Sequence, residues 1–132
     1  MTAKDFSFTK NSGDDIKTRQ AILAVENDED IECLSNTLKK HRFRILGKSR
    51  QLTEITELLR KYKTGVLFFD FDIEALTSET FITSLNVKYP KFKIILLAKT
   101  MNKAQLDYVK SHNIKRFLGK PLSTDAINKA LS

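Results

Sequence analysis

The sequence predicts an α/β domain built on one parallel sheet with helices on both of its faces. Three observations carry this. Five short apolar runs alternate with five stretches of helical periodicity, a repeat that implies parallel strands joined by right-handed crossovers. AILAV (21–25) is apolar without interruption, as in a strand buried on both faces. The 132 residues suit one core and are too few for two.

Residues 1–19 are polar, with Gly13 and an Asp pair and no sustained period, and they read as a flexible N-terminal extension. AILAV (21–25) is the first strand. Ile31, Leu34 and Leu38, with Cys33 beside them, mark one helical face through about His41. FRILG (43–47) is the second strand, and Ser49 is placed to cap a helix through about Tyr62 whose stripe is Leu52, Ile55, Leu58 and Leu59. Gly65 breaks that helix and VLFFDF (66–71) is the third strand. Ser78 caps a helix carrying Phe81, Ile82 and Leu85, with Pro90 beyond its end. FKIILLA (92–98) is the fourth strand. Asn102 caps a short helix with Leu106 and Val109, and Asn113 falls where a left-handed residue is wanted. RFLG (116–119) is the fifth strand, and Ser123 or Thr124 caps a last helix with Ile127 and Leu131. That helix is short for the element closing a sheet face, which is the pattern of a domain cut from a longer protein.

An apolar fraction of 41% and a charged fraction of 30% are ordinary for a water-soluble globular chain. No apolar run exceeds IILLA (94–98), far below the roughly 20 residues that cross a bilayer, so no membrane role is expected. The N-terminus lacks the apolar core of a secretory signal, and the lone Cys33 excludes an internal disulfide; both fit the cytoplasm. The formal net charge is +7, unevenly spread: residues 26–32 (ENDEDIE) hold five acids and no base, whereas residues 39–50 (KKHRFRILGKSR) hold six bases and no acid. Such a surplus is read either as a solvated surface or as a face for an anionic partner.

In open parallel α/β sheets ligands bind at the carboxyl ends of the strands. The first strand ends at Glu26, Asn27 and Asp28, the third at Asp70 with Asp72 two residues on, the fourth at Ala98, and the fifth at Lys120 and Pro121. Two acidic clusters and a lysine thus converge on one rim. Hard oxygen donors of this kind suit Mg²⁺, and a lysine opposite them suits a phosphoryl group.

On the segments AILAVEND (21–28), GVLFFDFD (65–72), KIILLAK (93–99) and FLGKPL (117–122), residues 20–132 resemble the receiver domain of bacterial response regulators, of the chemotaxis-regulator type. The resemblance implies a (βα)₅ doubly wound, flavodoxin-like fold with a five-stranded parallel sheet in the order 2-1-3-4-5. It implies a domain of two-component phosphorelay signalling, not an enzyme, that accepts a phosphoryl group from a sensor histidine kinase or phosphotransfer protein. Asp70 matches the phosphoacceptor and Lys120 the phosphoryl-contacting lysine, while Glu26, Asp70 and Asp72 match the region that holds Mg²⁺, with Asn27 or Asp28 as a further candidate. The expected cofactor is Mg²⁺, weakened in its hold.

The departures from that pattern matter as much. The second acid after the first strand is Asn27, unless Asp28 substitutes for it. The hydroxyl residue expected at the end of the fourth strand is Ala98, with Thr100 able to serve only if the register slips by two. The switch aromatic is Phe117, and Glu74 and Ser78 stand where the loop after the phosphoacceptor usually carries proline and glycine. Two readings stand for Asp70: a working acceptor, or a remnant paired with Lys120 in a site that never meets phosphate.

Receivers that dimerise through the fourth helix, fifth strand and fifth helix often carry two acids before the switch aromatic. Here Lys115 and Arg116 stand there, so that homodimer is expected to be disfavoured and the face suits an acidic protein instead. No recognition helix and no basic stripe interleaved with aromatics is seen, so direct DNA binding by this domain is not expected. His41 and His112 read as helix-end surface residues. The reading from another class, a small doubly wound enzyme or nucleotide-binding domain, lacks a glycine-rich phosphate loop after the first strand, where ENDED stands.

Overall fold

The computed structural model describes residues 19–73, 79–114 and 116–131. The chain alternates β1 (Gln20–Ala24), α1 (Asp28–Lys40), β2 (Arg44–Lys48), α2 (Leu52–Tyr62), β3 (Gly65–Asp70), α3 (Glu79–Lys88), β4 (Phe92–Ala98), α4 (Lys103–Ser111), β5 (Arg116–Gly119) and α5 (Thr124–Leu131). All pairings are parallel, and the sheet order is β2-β1-β3-β4-β5, as expected.

The apolar strands alternate between two cores because successive side chains leave opposite faces of a strand. Ile22, Leu67, Phe69, Ile94 and Leu96 pack under α2, α3 and α4, against Ile55, Leu59, Phe81, Ile82, Leu85 and Val109. Ala21, Leu23, Val66, Phe68, Ile95 and Leu97 face the other way, against Leu34 and Leu38 of α1 and Ile127 of α5. The central β3 is buried along its whole length.

Helix ends follow local chemistry. Asn27 caps α1, its Oδ1 accepting from the N–H of Glu29 (2.7 Å) and Asp30 (3.3 Å). Asn102 caps α4 in a reciprocal pair with Gln105. Asn113 takes the left-handed conformation expected of it (φ 66°), but so do Arg42 (φ 63°) and Lys63 (φ 65°), where the sequence offered no glycine or asparagine. Lys63 ends α2 before Gly65 is reached. The expected cap at Ser49 is displaced: Gln51 precedes the helix without a side-chain cap, while the Ser49 hydroxyl accepts from the Gln51 N–H (2.9 Å) and donates to Glu54. Ser123, not Thr124, accepts from the first turn of α5. The extension at 1–18 and the cap at Ser78 lie outside the described residues.

Candidate functional site

The parallel register delivers the ends of β1, β3, β4 and β5 to one rim. Asp70, the last residue of β3, is fully buried, and its carboxylate is held from three sides. Oδ1 accepts from the Asp72 N–H (2.9 Å), and Oδ2 accepts from the Glu26 N–H (3.1 Å) and from the Lys120 ammonium (2.6 Å). Lys120 follows β5, its N–H donating to the Ala98 carbonyl (3.1 Å), and its bond to Pro121 is cis. Its side chain is only 7% exposed, and the ammonium also donates to Asp72 (2.9 Å) and lies 3.9 Å from Asp30. Burial pulls the Lys120 ammonium toward losing its proton, but the hydrogen bonds and charges of Asp70 and Asp72 outweigh this and raise it above the ordinary lysine value. Burial raises the Asp30 carboxyl, with Lys120 acting in the opposite sense.

Above this triad opens a cleft of about 480 Å³ lined by Glu26, Asn27, Glu29, Asp30, Asp72, Lys99, Lys120 and Pro121. Glu26, Asp70 and Lys120 do meet. Asp28 does not belong: it is the exposed first residue of α1 and lies outside the lining, while Asp30 stands in the cleft instead. Asp30 arrives there because Asn27 caps α1 and so sets the phase of its first turn, which rises from the rim. Asn27 lines the cleft too, but its carbonyl oxygen is engaged in capping.

The Mg²⁺ shell expected of Glu26, Asp70 and Asp72 is not assembled. Glu26 offers Asp70 its backbone N–H, and its own side chain is exposed. The Lys120 ammonium joins Asp70 to Asp72, and among the described residues no group of three or more His, Cys, Asp or Glu side chains is placed to hold a metal. The oxygens are of the right kind, but in this arrangement they do not fit a divalent ion, because the Lys120 ammonium already bridges the Asp70 and Asp72 carboxylates.

Ala98 ends β4 opposite Gly119, which fixes the register and leaves exposed Thr100 outside the cleft. The rim therefore carries no hydroxyl at the Ala98 position. Phe117 pairs with Leu96 and packs, half-buried, against the α2–α3–α4 core. Arg116 is tied down, donating from Nη1 to the Ala130 carbonyl (2.6 Å); Lys115, Glu74 and Ser78 lie outside the described residues. His41 and His112 stand at the ends of α1 and α4, His41 bonded to Asn128 (2.7 Å) and His112 to the Tyr108 carbonyl (2.9 Å). No helix among the described residues is long and apolar enough to cross a membrane.

No family model and no curated protein matches the sequence. Solved structures do match. A response regulator from Thermotoga maritima superposes with a TM-score of 0.73 at 18% identity, over 87% of this chain and 98% of that one. The apo receiver domain of RcsB from Salmonella enterica serovar Typhimurium gives 0.74 at 22% identity, over 86% and 85%. The Vibrio cholerae chemotaxis protein CheY4 gives 0.75 at 15% identity, over 87% and 97%. With five parallel strands in the order 2-1-3-4-5 and a lysine-paired aspartate at the end of the third, this chain has the fold of the response-regulator receiver domains.

Proposed function

We propose that this chain is a receiver module of two-component signalling, in which Asp70 accepts a phosphoryl group weakly and the output runs through protein–protein contact. The observation that carries the reading is the convergence of Asp70 and Lys120: a buried carboxylate at the end of β3 paired at 2.6 Å with a lysine delivered by β5. The donor would be a phosphohistidine on a sensor kinase or phosphotransfer protein. An Asp70 oxygen attacks phosphorus in line, the P–N bond breaks with its electron pair leaving on the imidazole, and an acyl phosphate forms. Among the described residues Oδ1 accepts from the Asp72 N–H alone, which leaves it a lone pair for attack. Lys120 turns from carboxylate to phosphoryl oxygens and offsets their charge.

Two features support weakness. Lys120 must first leave both Asp70 and Asp72, and Ala98 offers no hydroxyl through which a phosphoryl group could pull on Phe117. The same reading makes the domain a cytoplasmic, non-enzymatic module that neither reads DNA itself nor forms the α4–β5–α5 homodimer. The enzyme alternative finds no support, since ENDED after β1 is not a phosphate-cradling loop.

The test is incubation with a small phosphodonor such as acetyl phosphate, with and without Mg²⁺, read by intact mass. A gain of one phosphoryl group (about 80 Da) that disappears in Asp70→Asn is expected. No adduct under either condition, or an adduct that survives Asp70→Asn, overturns the proposal.

A further inference from the structure

A second concentration of charge lies at the opposite end of the sheet from Asp70. Because the strands are parallel, their amino ends share one rim with the carboxyl ends of α1–α4. Among the described residues, Arg19, the segments 39–44 (KKHRFR), 60–64 (RKYKT), 88–93 (KYPKFK) and 110–114 (KSHNI), and Arg116 build that rim, and not one Asp or Glu occurs in any of them. Hydrogen bonds hold these segments side by side: the Arg44 N–H donates to the Arg19 carbonyl (2.9 Å), Gln20 to the Thr64 carbonyl (3.2 Å), and the Thr64 hydroxyl to the Lys91 carbonyl (3.4 Å).

Helix dipoles explain part of this, since cations in the last turn of a helix are favoured. They do not explain Lys91, which is exposed and lies outside the helices, whereas Arg19 donates to the carbonyl of His41 at the end of α1 (2.7 Å) and Arg42 and Lys63 stand at the ends of α1 and α2. Arg42 and Lys63 moreover occupy left-handed backbone positions, where glycine or asparagine would be less strained. Basic side chains thus stand where local structure favours others.

We propose that this rim docks an acidic protein segment, a stretch of Asp and Glu interrupted by an apolar residue. The absence of any acid among the described residues of the rim supplies the charge complementarity. Two further observations favour a polypeptide over a nucleic acid. Arg44 and Lys61 already lie 5.9 and 5.2 Å from the centroid of the Tyr62 ring, so that ring offers bases no free stacking platform. Val87, 77% exposed in the last turn of α3 beside Lys88, offers an apolar contact. Five strands about 4.8 Å apart make the rim roughly 20 Å wide, the span of about six extended residues.

The surface is independent of Asp70, and the test keeps the two apart. The full chain is titrated by fluorescence anisotropy against a labelled acidic peptide of about ten residues and a charge-matched single-stranded oligonucleotide. Arg42→Asn/Lys63→Asn/Lys91→Gln removes three rim charges with side chains its backbone tolerates, and circular dichroism checks its fold. Lys48→Gln/Lys103→Gln removes charge from the opposite rim as a control. Peptide affinity is expected to fall about tenfold or more in the first variant and to stay within about twofold in the control and in Asp70→Asn. An unchanged affinity in the rim variant, an equal loss in the control, or tighter binding of the oligonucleotide than of the peptide overturns the proposal.

Discussion

Nζ of Lys120 stands 2.6 Å from Oδ2 of Asp70, fifty residues earlier in the chain, with one side chain 7% exposed and the other fully buried. A buried ion pair of this kind costs desolvation on both sides, so its parts are worth more in each other's presence than either is alone.

Lys120→Met should therefore destabilise the fold by about 3 kcal/mol, because it leaves the Asp70 charge buried without its cation. Asp70→Asn should cost less, and the double variant should recover much of the loss. Urea unfolding of all four proteins closes the cycle. Strict additivity would show that the two groups are not coupled.

Asn27 serves as a helix cap, which separates its two nearest substitutions. Asn27→Ala should cost about 1 kcal/mol through the lost acceptor at the start of α1. Asn27→Asp keeps the acceptor and adds a carboxylate to the cleft, so it should preserve stability and introduce a rise in melting temperature on adding Mg²⁺ that the wild type lacks. Thermal unfolding with and without the ion reads both effects, and an unchanged Mg²⁺ response in Asn27→Asp would refute the second.

The pH dependence has a defined sign at each end. Lys120 is raised in the fold, so the stability it contributes is complete below the unfolded lysine value and is lost as pH rises through its folded value. The urea midpoint should drop more as pH rises above the ordinary lysine value of 10.5 in the wild type than in Lys120→Met. Asp30 is also raised, so the fold holds its proton at higher pH than the unfolded chain does, and stability decreases as pH rises from its unfolded toward its folded value.

Three glycines should rank in a fixed order on substitution by alanine. Gly65 has φ +144° and a Cβ there would lie 2.7 Å from the Gln20 carbonyl oxygen, so Gly65→Ala should cost more than about 2 kcal/mol. At Gly47 the nearest obstacle is the flexible end of Leu58, also at 2.7 Å, so the cost should be smaller. Gly119 faces open space and should tolerate the change. Melting temperatures of the three variants test the order.

The alternation of elements was legible because short apolar runs such as AILAV and IILLA alternate with stretches of helical period, and the rim followed from parallel strands alone. Boundaries were legible where capping chemistry is local, as at Asn102 and Asn113. They shifted where a basic residue took a left-handed position, as at Lys63, because nothing in its own chemistry announces that conformation. Within the site, Glu26, Asp70 and Lys120 could be placed from strand ends. Asp30 could not, because its arrival depends on Asn27 setting the phase of α1. The double engagement of Lys120 with Asp70 and Asp72 was hidden for a similar reason: it is a matter of side-chain reach rather than register.

β5 is four residues long and is bonded to a neighbour on one side only. An end strand with so few rungs is among the first parts of a sheet to come loose in a native fluctuation. When it does, Lys120 leaves with it and Asp70 is exposed to water as a bare anion. Breathing of this margin and switching of the rim's charge are thus a single event, and amide exchange along residues 116–119 would report both at once.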